Sequence, residues 1–375
     1  MLKRAVFISC FDSYDNRVKA FVELFEQKGY ETRYLYADFH HMSKCYNNNT
    51  YENGERINVV PYNKNLSVKR LYSHYIFSKK VIKYIKIYHP DFIYCMVPPN
   101  SLVKEIGIYK QTHTEIKLVF DIYDMWPESF PYSRYSKLLQ LPFAYWGELR
   151  RNYIRQADVI FCVSEEGKKL LVPEVYGKPV KVIRPAIPEG EMPEYNPRED
   201  VFSFVYLGMI NHIVDMDLGE EILGALAKKK RTLLHIIGEG QYLNEFVARL
   251  EKDGVEVICH GCVFEQKEKN MIFSLCNMGL NIPRKEIDST MSLKAIEYMR
   301  AGLPFVNNAS GEIRKIVEED EVGINIAGDN IEEIISWILK LGKQDYMKIH
   351  DKCVNSYKSR FLTQNYAEIF DVLLR

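Results

Sequence analysis

Residues 289–302, STMSLKAIEYMRAG, combine side chains that suit phosphate binding with a helical pattern. Hydroxyl side chains suited to helix capping precede that pattern, namely Ser289, Thr290 and Ser292. The main-chain amides and the dipole at such a helix start favour an anion such as a diphosphate. Lys294 falls in the first turn, where a cation is unfavourable for the helix alone, and a bound anion would relieve that conflict.

Glu297 lies about one helical turn further on. A carboxylate in that position can accept hydrogen bonds from two ribose hydroxyls and so anchor a nucleotide. The alternative is an ordinary amphipathic helix in which Lys294 and Glu297 form a surface pair. The segment by itself leaves both interpretations open.

The composition limits the class of protein and its partners. The 375 residues suffice for two α/β domains, and 50 basic side chains balance 50 acidic ones, so no net field attracts nucleic acid. We therefore expect no nucleic-acid partner, and any recognition of phosphate must be local.

Cysteines and apolar runs predict a cytoplasmic location. Several cysteines lie inside apolar runs, as buried free thiols do in a reducing compartment: Cys10, Cys95, Cys162 and Cys276. The first apolar run, residues 5–11, is too short for a signal peptide. No run approaches the roughly 20 apolar residues that cross a bilayer.

Short β-branched runs alternate with helical patterns along the whole chain, which predicts parallel sheets covered by helices on both faces. A Pro- and Glu-rich linker, 184–200, separates two such series. The predicted strands cover residues 5–10, 31–36, 58–61, 91–97, 116–122, 159–163 and 180–183 before the linker, and 203–207, 232–237, 256–259, 278–282 and 304–307 after it.

The expected fold class is therefore α/β, with two doubly wound Rossmann-like domains facing each other across a cleft. The first covers residues 1–185 and the second residues 186–357, with residues 358–375 returning to the first. Neither half carries GxGxxG after its first strand, so a nicotinamide or flavin fingerprint is absent. Ligands are expected beyond the carboxyl ends of the strands.

Residues 292–304 match the pattern ser-leu-lys-x-x-glu-tyr-met-x-x-gly-x-pro, and at this segment the chain resembles the GT-B glycosyltransferases, in particular the retaining family-4 type. The resemblance extends to LLHIIGEGQ, VICHGCV, DIYDMWPESF and QADVIFCVSE. It implies a glycosyltransferase that moves a sugar from a nucleotide-sugar donor, UDP-linked by expectation, with retention. The acceptor would be a glycan or a polyprenyl-linked carrier in surface polysaccharide synthesis, and no metal or other cofactor is expected.

The same resemblance implies a donor site in the second domain. Glu297 would bind the ribose, and the turn Met291–Ser292–Leu293–Lys294 the diphosphate. Val263 would lie beside the base, and Gly240 and Ser289 would approach the sugar or the phosphates.

Two departures from the family pattern concern this donor site. Ser289 stands where the family has a first glutamate, and Asn211 with His212 stands where it has a basic pair. Fixed cations stabilise a leaving diphosphate, so their loss is expected to slow the transfer reaction. These departures support an alternative, a catalytically silent GT-B subunit that binds glycan or a partner transferase. A sugar-nucleotide epimerase on the same fold is a third alternative.

Candidate catalytic residues on the acceptor side follow two predicted strands. Arg17 opens the first helix and is expected to reach a donor phosphate, unless the segment serves only to let Asp15 cap the helix. Tyr123 and Asp124 follow the strand 116–122. Tyr123 stands where relatives have a histidine that contacts the donor sugar, and Asp124 is the favoured acid.

Residues 70–89 and 134–155 are rich in both basic and aromatic side chains. Basic amphipathic helices can lie on anionic bilayers, where a lipid-linked acceptor is found. The alternative is a core helix with a solvated basic face. Peripheral contact with the inner face of the cell membrane is therefore an expectation of the sequence.

Overall fold

The computed structural model describes residues 2–41, 43–48, 50–128, 140–185, 191–194, 196, 200–285, 291–328 and 330–362. The chain divides into two compact units after Pro185.

The first unit is built on a seven-stranded parallel sheet with the order β3-β2-β1-β4-β5-β6-β7. Its strands are β1 (Arg4–Ser9), β2 (Glu31–Ala37), β3 (Gly54–Ile57), β4 (Phe92–Val97), β5 (Lys117–Ile122), β6 (Val159–Cys162) and β7 (Val180–Val182). Its helices are α1 (Asp15–Gln27), α2 (Val68–Tyr88), α3 (Asn100–Thr112), α4 (Gln140–Arg151) and α5 (Glu165–Leu171). Every residue of β4 is buried, as expected where helices cover both faces of a parallel sheet.

The predicted strand at residues 58–61 is wrong. The strand in this region is β3, which pairs with β2 at the edge of the sheet. Its Glu55 and Arg56 are exposed, so β3 lacks the apolar pattern of a buried strand. The amide of Val59 instead donates to Asp38 Oδ1, at 2.7 Å. The other predicted strands are confirmed to within about two residues at each end.

The second unit has a six-stranded parallel sheet with the order β10-β9-β8-β11-β12-β13. Its strands are β8 (Phe202–Leu207), β9 (Thr232–Ile237), β10 (Glu256–Gly261), β11 (Met278–Asn281), β12 (Phe305–Asn307) and β13 (Gly323–Asn325). Its helices are α6 (Met216–Ala227), α7 (Leu243–Lys252), α8 (Gln266–Ser274), α9 (Leu293–Arg300), α10 (Gly311–Asp320), α11 (Ile331–Lys340) and α12 (Lys343–Phe361). Strand β13 was not predicted because it has three half-buried residues.

Two apolar clusters pack against the second sheet. One contains Phe204 and Leu234 with residues of α6, α7 and α11, and the other contains Val205 and Ile237 with residues of α9, α10 and α12. Successive residues of β8 therefore enter different clusters, which confirms a doubly wound unit.

Helix α12 belongs to the second unit along its whole described length, since Tyr357 and Phe361 are buried in the cluster that contains Met299. Residues 363–375 lie outside the described residues, so the return of the C-terminal segment to the first domain stays a prediction. The cysteines of the apolar runs are buried and free, as predicted. None of the described helices combines the length and the apolar character needed to span a bilayer.

Candidate functional site

Helix α9 is anchored where the strand order of the second sheet reverses, between β8 and β11. The Tyr298 hydroxyl lies 3.2 Å from the carbonyl oxygens of both Val205 and Leu280, and it accepts the Leu207 amide at 3.0 Å. Gly279 makes room for the ring, because a Cβ there would lie 2.6 Å from Tyr298. The helix is thereby fixed at the crevice where doubly wound sheets bind ligands.

Ser292 precedes α9 in an extended conformation, but its side chain makes no hydrogen bond to the helix amides. Its Oγ instead donates to Asn281 Oδ1, at 2.9 Å. The capping role predicted for Ser292 is therefore wrong, because Asn281 competes for the hydroxyl. The first-turn amides of α9 consequently lack a cap from Ser292, and uncapped amides at a helix start can bind an anion.

A row of asparagines at the carboxyl ends of three neighbouring strands holds this hydroxyl. Asn281, Asn307 and Asn325 are paired in register. Asn281 Nδ2 donates to Asn307 Oδ1, and Asn307 Nδ2 donates to Asn325 Oδ1, each at 2.7 Å. Sequence reasoning missed this row because β13 was not predicted and the predicted strand for β11 ended at residue 282, one residue beyond Asn281.

Lys294 points towards β8 and away from Glu297. Its Nζ donates to Tyr206 Oη at 2.9 Å and lies 4.2 Å from the centroid of that ring. Within the described part of the chain it forms no ion pair with a carboxylate. Burial lowers the pKa of Lys294 to about 8. The surface-pair interpretation of Lys294 and Glu297 is therefore wrong.

The carboxylate of Glu297 lies between two cations, Lys269 and Arg300. Its Oε1 accepts from Lys269 Nζ at 3.0 Å, and its Oε2 lies 3.7 Å from Arg300 Nη1. Among the residues that the structure describes, the Oε2 atom is buried without a hydrogen-bond partner. A carboxylate has about four lone-pair directions, so Glu297 keeps unused acceptor capacity.

Glycines bring the loops after β8 and β9 into backbone contact. A Cβ on Gly238 would lie 2.1 Å from the Gly208 oxygen, and a Cβ on Gly240 would lie 2.1 Å from the Ile210 oxygen. Both glycines adopt positive φ, +147° and +153°, which other residues rarely tolerate. Packing between the two loops therefore explains why positions 238 and 240 are glycines. An approach of Gly240 to a donor stays a prediction.

The loop after β8 lies beside Lys294, whose Nζ would be 3.7 Å from a Cβ built on Gly208. Asn211 in that loop accepts the Ile213 amide on its Oδ1 at 2.9 Å, which stabilises the turn. Lys294 is therefore a cation next to the loop in which the resemblance expects a basic pair.

The remaining predicted donor residues differ in exposure. Leu293 is 54% exposed, whereas Met291 and Val263 are half-buried against the cluster that contains Met299. Phe264 beside Val263 is 84% exposed, a free aromatic surface. Ser289 lies outside the described residues.

The Arg17 side chain is buried in the first unit and its guanidinium donates to buried acceptors there. Its Nε and Nη2 donate to the two oxygens of Asp121, at 2.7 and 3.1 Å, and Asp121 is fully buried. Further donations reach the carbonyl oxygens of Ile183 and Arg184, at 2.9 and 3.0 Å. The predicted role of Arg17 at a donor phosphate is therefore replaced by a structural one.

Asp124 and Tyr123 lie directly after β5, at the carboxyl edge of the first sheet. The Tyr14 hydroxyl donates to Asp124 Oδ2, and the Tyr14 and Tyr123 ring centroids are 4.7 Å apart. Burial raises the pKa of Asp124 and raises that of Tyr123 to about 12. Arg17 Cζ lies 5.5 Å from the Tyr123 ring centroid, so the structure places all three predicted catalytic residues in one region.

Asp15, considered as a helix cap, is the first residue of α1 and accepts from the hydroxyls of Tyr34 and Tyr51. Capping by Asp15 is therefore wrong for this structure, because two buried tyrosines occupy its carboxylate.

Two doubly wound α/β units in one chain fit the GT-B fold, which the solved structures described below share. Residues 202–344, in the second unit, match the family described as Glycosyl transferases group 1.

Among curated proteins, the chain is similar to the Escherichia coli O-antigen biosynthesis glycosyltransferase WbnH. The two are 21% identical over 218 residues, or 58% of this chain and 60% of that protein. The chain thus matches about 60% of the length of this relative.

Solved structures share the fold over nearly the whole chain. WaaG, a glycosyltransferase involved in lipopolysaccharide biosynthesis, superposes with a TM-score of 0.69 at 13% identity, covering 97% of this chain and 99% of that one. Anabaena Alr3699/HepE in complex with UDP gives a TM-score of 0.65 at 14% identity, covering 100% and 99%.

Proposed function

We propose that the chain is a glycosyltransferase that uses a nucleotide-sugar donor, and that the donor diphosphate binds at the start of α9. The observation that carries the proposal is Lys294, a largely desolvated ammonium whose described surroundings hold no carboxylate partner. It stands in the first turn of α9, where Ser292 leaves the amides uncapped. A diphosphate supplies the missing negative charge.

The nucleotide is proposed to be a UDP-sugar whose ribose hydroxyls bind Glu297. Structures of Anabaena Alr3699/HepE with UDP and with UDP-glucose support this choice by similarity of fold. Glu297 lies one turn beyond Lys294 and has acceptor capacity that Lys269 and Arg300 do not use.

Changing Glu297 to glutamine is expected to weaken UDP binding about tenfold, because a charged acceptor becomes a neutral amide. The measurement is a thermal-shift titration with UDP, in which the UDP concentration needed for a given rise in Tm reports affinity. Glu268→Gln, on an exposed residue of α8, is the matched control. Unchanged UDP affinity in Glu297→Gln would contradict the ribose assignment.

The transfer is proposed to proceed with retention, without a metal ion, to a glycan or a polyprenyl-linked acceptor in surface polysaccharide synthesis. The relation to an O-antigen biosynthesis glycosyltransferase supports this setting. Asp124 is proposed to orient the acceptor hydroxyl, because its buried carboxylate is held in place by Tyr14. Tyr123 is proposed to contact the donor sugar.

Contact with an anionic membrane is proposed for the surface formed by α2 and α4. Large apolar side chains are exposed there: Val68 (83%), Tyr72 (52%), Tyr75 (46%), Leu141 (80%) and Tyr145 (65%). Lysines follow on the exposed side of α2, at Lys83 and Lys86. Apolar and aromatic groups flanked by cations suit an anionic bilayer.

The double variant Val68→Ser/Tyr145→Ser is expected to float with anionic phosphatidylglycerol vesicles at least threefold less than the wild type at low salt, since each change removes apolar area that membrane binding would bury. Leu339→Ser/Met347→Ser, on exposed residues of the second unit, provides the control. Equal flotation of the wild type and the first variant would exclude this surface.

A further inference from the structure

Arg70, in the first turn of α2, is a buried cation that the proposed transfer does not use. It is 2% exposed, and its Nη1 donates to the Asn65 carbonyl oxygen at 2.8 Å. Within the described residues its Nε and Nη2 are buried and make no hydrogen bond of good geometry, and the guanidinium interacts with the Tyr62 side chain. A buried guanidinium with unused donors is unfavourable unless an anion neutralises it.

Three of the groups that face Arg70 are neutral at pH 7, whereas a fourth, the Asp124 carboxyl, interacts with Arg70 electrostatically and accepts a hydrogen bond from Tyr14. Tyr62, Cys10 and Tyr14 exert the main electrostatic influence on Arg70 besides desolvation. Burial raises the pKa of each of the three, so all stay protonated.

A second cation, Lys44, lies beside Arg70. Lys44 Nζ donates to Asn65 Oδ1 and to the His41 carbonyl oxygen, so both cations meet at Asn65. Desolvation, followed by the charge of Arg70, lowers the pKa of Lys44. The nearby carboxylate of Asp12 is held by the His40 ring at 2.7 Å and by the His41 amide at 3.1 Å.

Aromatic rings surround the cluster of Arg70 and Lys44 at the carboxyl edge of the first sheet. Arg70 Cζ lies 4.2 Å from the Trp126 ring centroid and 5.7 Å from that of Phe11. The nearby histidines are neutral, since burial lowers the pKa of His41 to about 3 and that of His74 well below its usual value. A cation–π contact compensates a buried charge only in part.

An apolar groove of about 290 Å³ adjoins the cluster. It is lined by His74, which stacks on Trp126, together with Leu71, Tyr145 and Trp146. Asp124, the acid proposed to orient the acceptor, lies close to Arg70. The charge of Arg70 lowers the pKa of Asp124, while burial raises it by more.

We propose that Arg70 and Lys44 form a phosphate-binding site in the first unit, which takes a phosphate group of the acceptor. The assignment of that phosphate to the acceptor rests on the proposed function. Arg70 presents Nε–H and Nη2–H as a fork that fits two phosphate oxygens, and Lys44 supplies a second positive charge. The phosphate comes from a lipid carrier if the groove holds its chain, and from a soluble ester otherwise.

The test uses the full chain and three probes: inorganic phosphate, geranyl phosphate and UDP. Thermal shift and tryptophan fluorescence are recorded for each, because Trp126 lies against Arg70. In the wild type, phosphate and geranyl phosphate are expected to raise Tm and change the fluorescence. Arg70→Gln is expected to need at least tenfold more of either probe and to keep its response to UDP, whereas Lys294→Met shows the reverse.

Arg33→Gln, which removes a half-buried arginine 3.6 Å from Glu31, is the control and should respond like the wild type. If Arg70→Gln does not fold, Lys44→Met removes the second cation from the rim of the cluster and is expected to weaken both phosphate probes. A geranyl phosphate midpoint at least tenfold below that of phosphate supports a lipid source, and equal midpoints support a soluble one.

No response of the wild type to either phosphate probe would overturn the site, as would a full response in both Arg70→Gln and Lys44→Met. If the wild type responded to the phosphate probes but not to UDP, the proposed donor site would be refuted and the phosphate site would still be supported.

Discussion

Replacing Lys294 by methionine is expected to weaken UDP binding by about a hundredfold and, at the same time, to stabilise the protein without ligand. A hydrogen bond between charged partners contributes about 1.5–3 kcal/mol, and the higher figure corresponds to about a hundredfold in affinity. Methionine retains the packing of the aliphatic chain against Tyr206 but carries no charge.

The gain in stability follows from the direction of the pKa shift. Burial lowers the pKa of Lys294 from 10.5 to about 8, so keeping it charged costs at most about 3 kcal/mol. Partial exposure to solvent reduces this to about 1–2 kcal/mol. Urea unfolding at pH 7 measures the difference, and Lys229→Met, an exposed lysine of the same unit, is the matched control.

The pH dependence gives an independent check. Because the folded pKa is the lower one, the unfolded chain binds more protons between pH 8 and 10.5, and the wild type gains stability relative to Lys294→Met as pH rises through that window. UDP affinity of the wild type is expected to fall above pH 8, where the free amine is neutral. A UDP affinity of Lys294→Met within threefold of the wild type would refute the proposed diphosphate site.

Arg17→Met is expected to destabilise the protein by about 3–5 kcal/mol without altering UDP binding. The substitution leaves the carboxylate of Asp121 buried without its guanidinium partner, which is the costly way to break a buried pair. Tyr94 still donates to Asp121 Oδ2 and lessens the loss. The carbonyl oxygens of Ile183 and Arg184 also lose donors.

Urea unfolding and a UDP titration separate this structural role from a catalytic one. Arg17→Met/Asp121→Leu should recover part of the stability, since a neutral pair removes the unpaired charge. Arg33→Met, at a partly exposed ion pair, should cost less than about 1 kcal/mol. If Arg17→Met kept its stability within about 1 kcal/mol but lost sugar transfer, the catalytic role first predicted for Arg17 would be restored.

Most strands could be predicted because they are buried on both faces and therefore read as apolar β-branched runs, as in β4 and β9. Strands β3 and β13 escaped prediction because they are short edge strands with exposed or half-buried residues, and edge position is a property of the sheet.

The sequence by itself determined two doubly wound units and the position of a helix start rich in hydroxyl groups. Both follow from local pattern, since burial and helix capping act over a few residues. Tertiary structure alone decided which partner each polar side chain takes. Ser292 binds Asn281, Lys294 binds Tyr206, and Arg17 binds Asp121, because strands distant in sequence bring competing groups within hydrogen-bond distance.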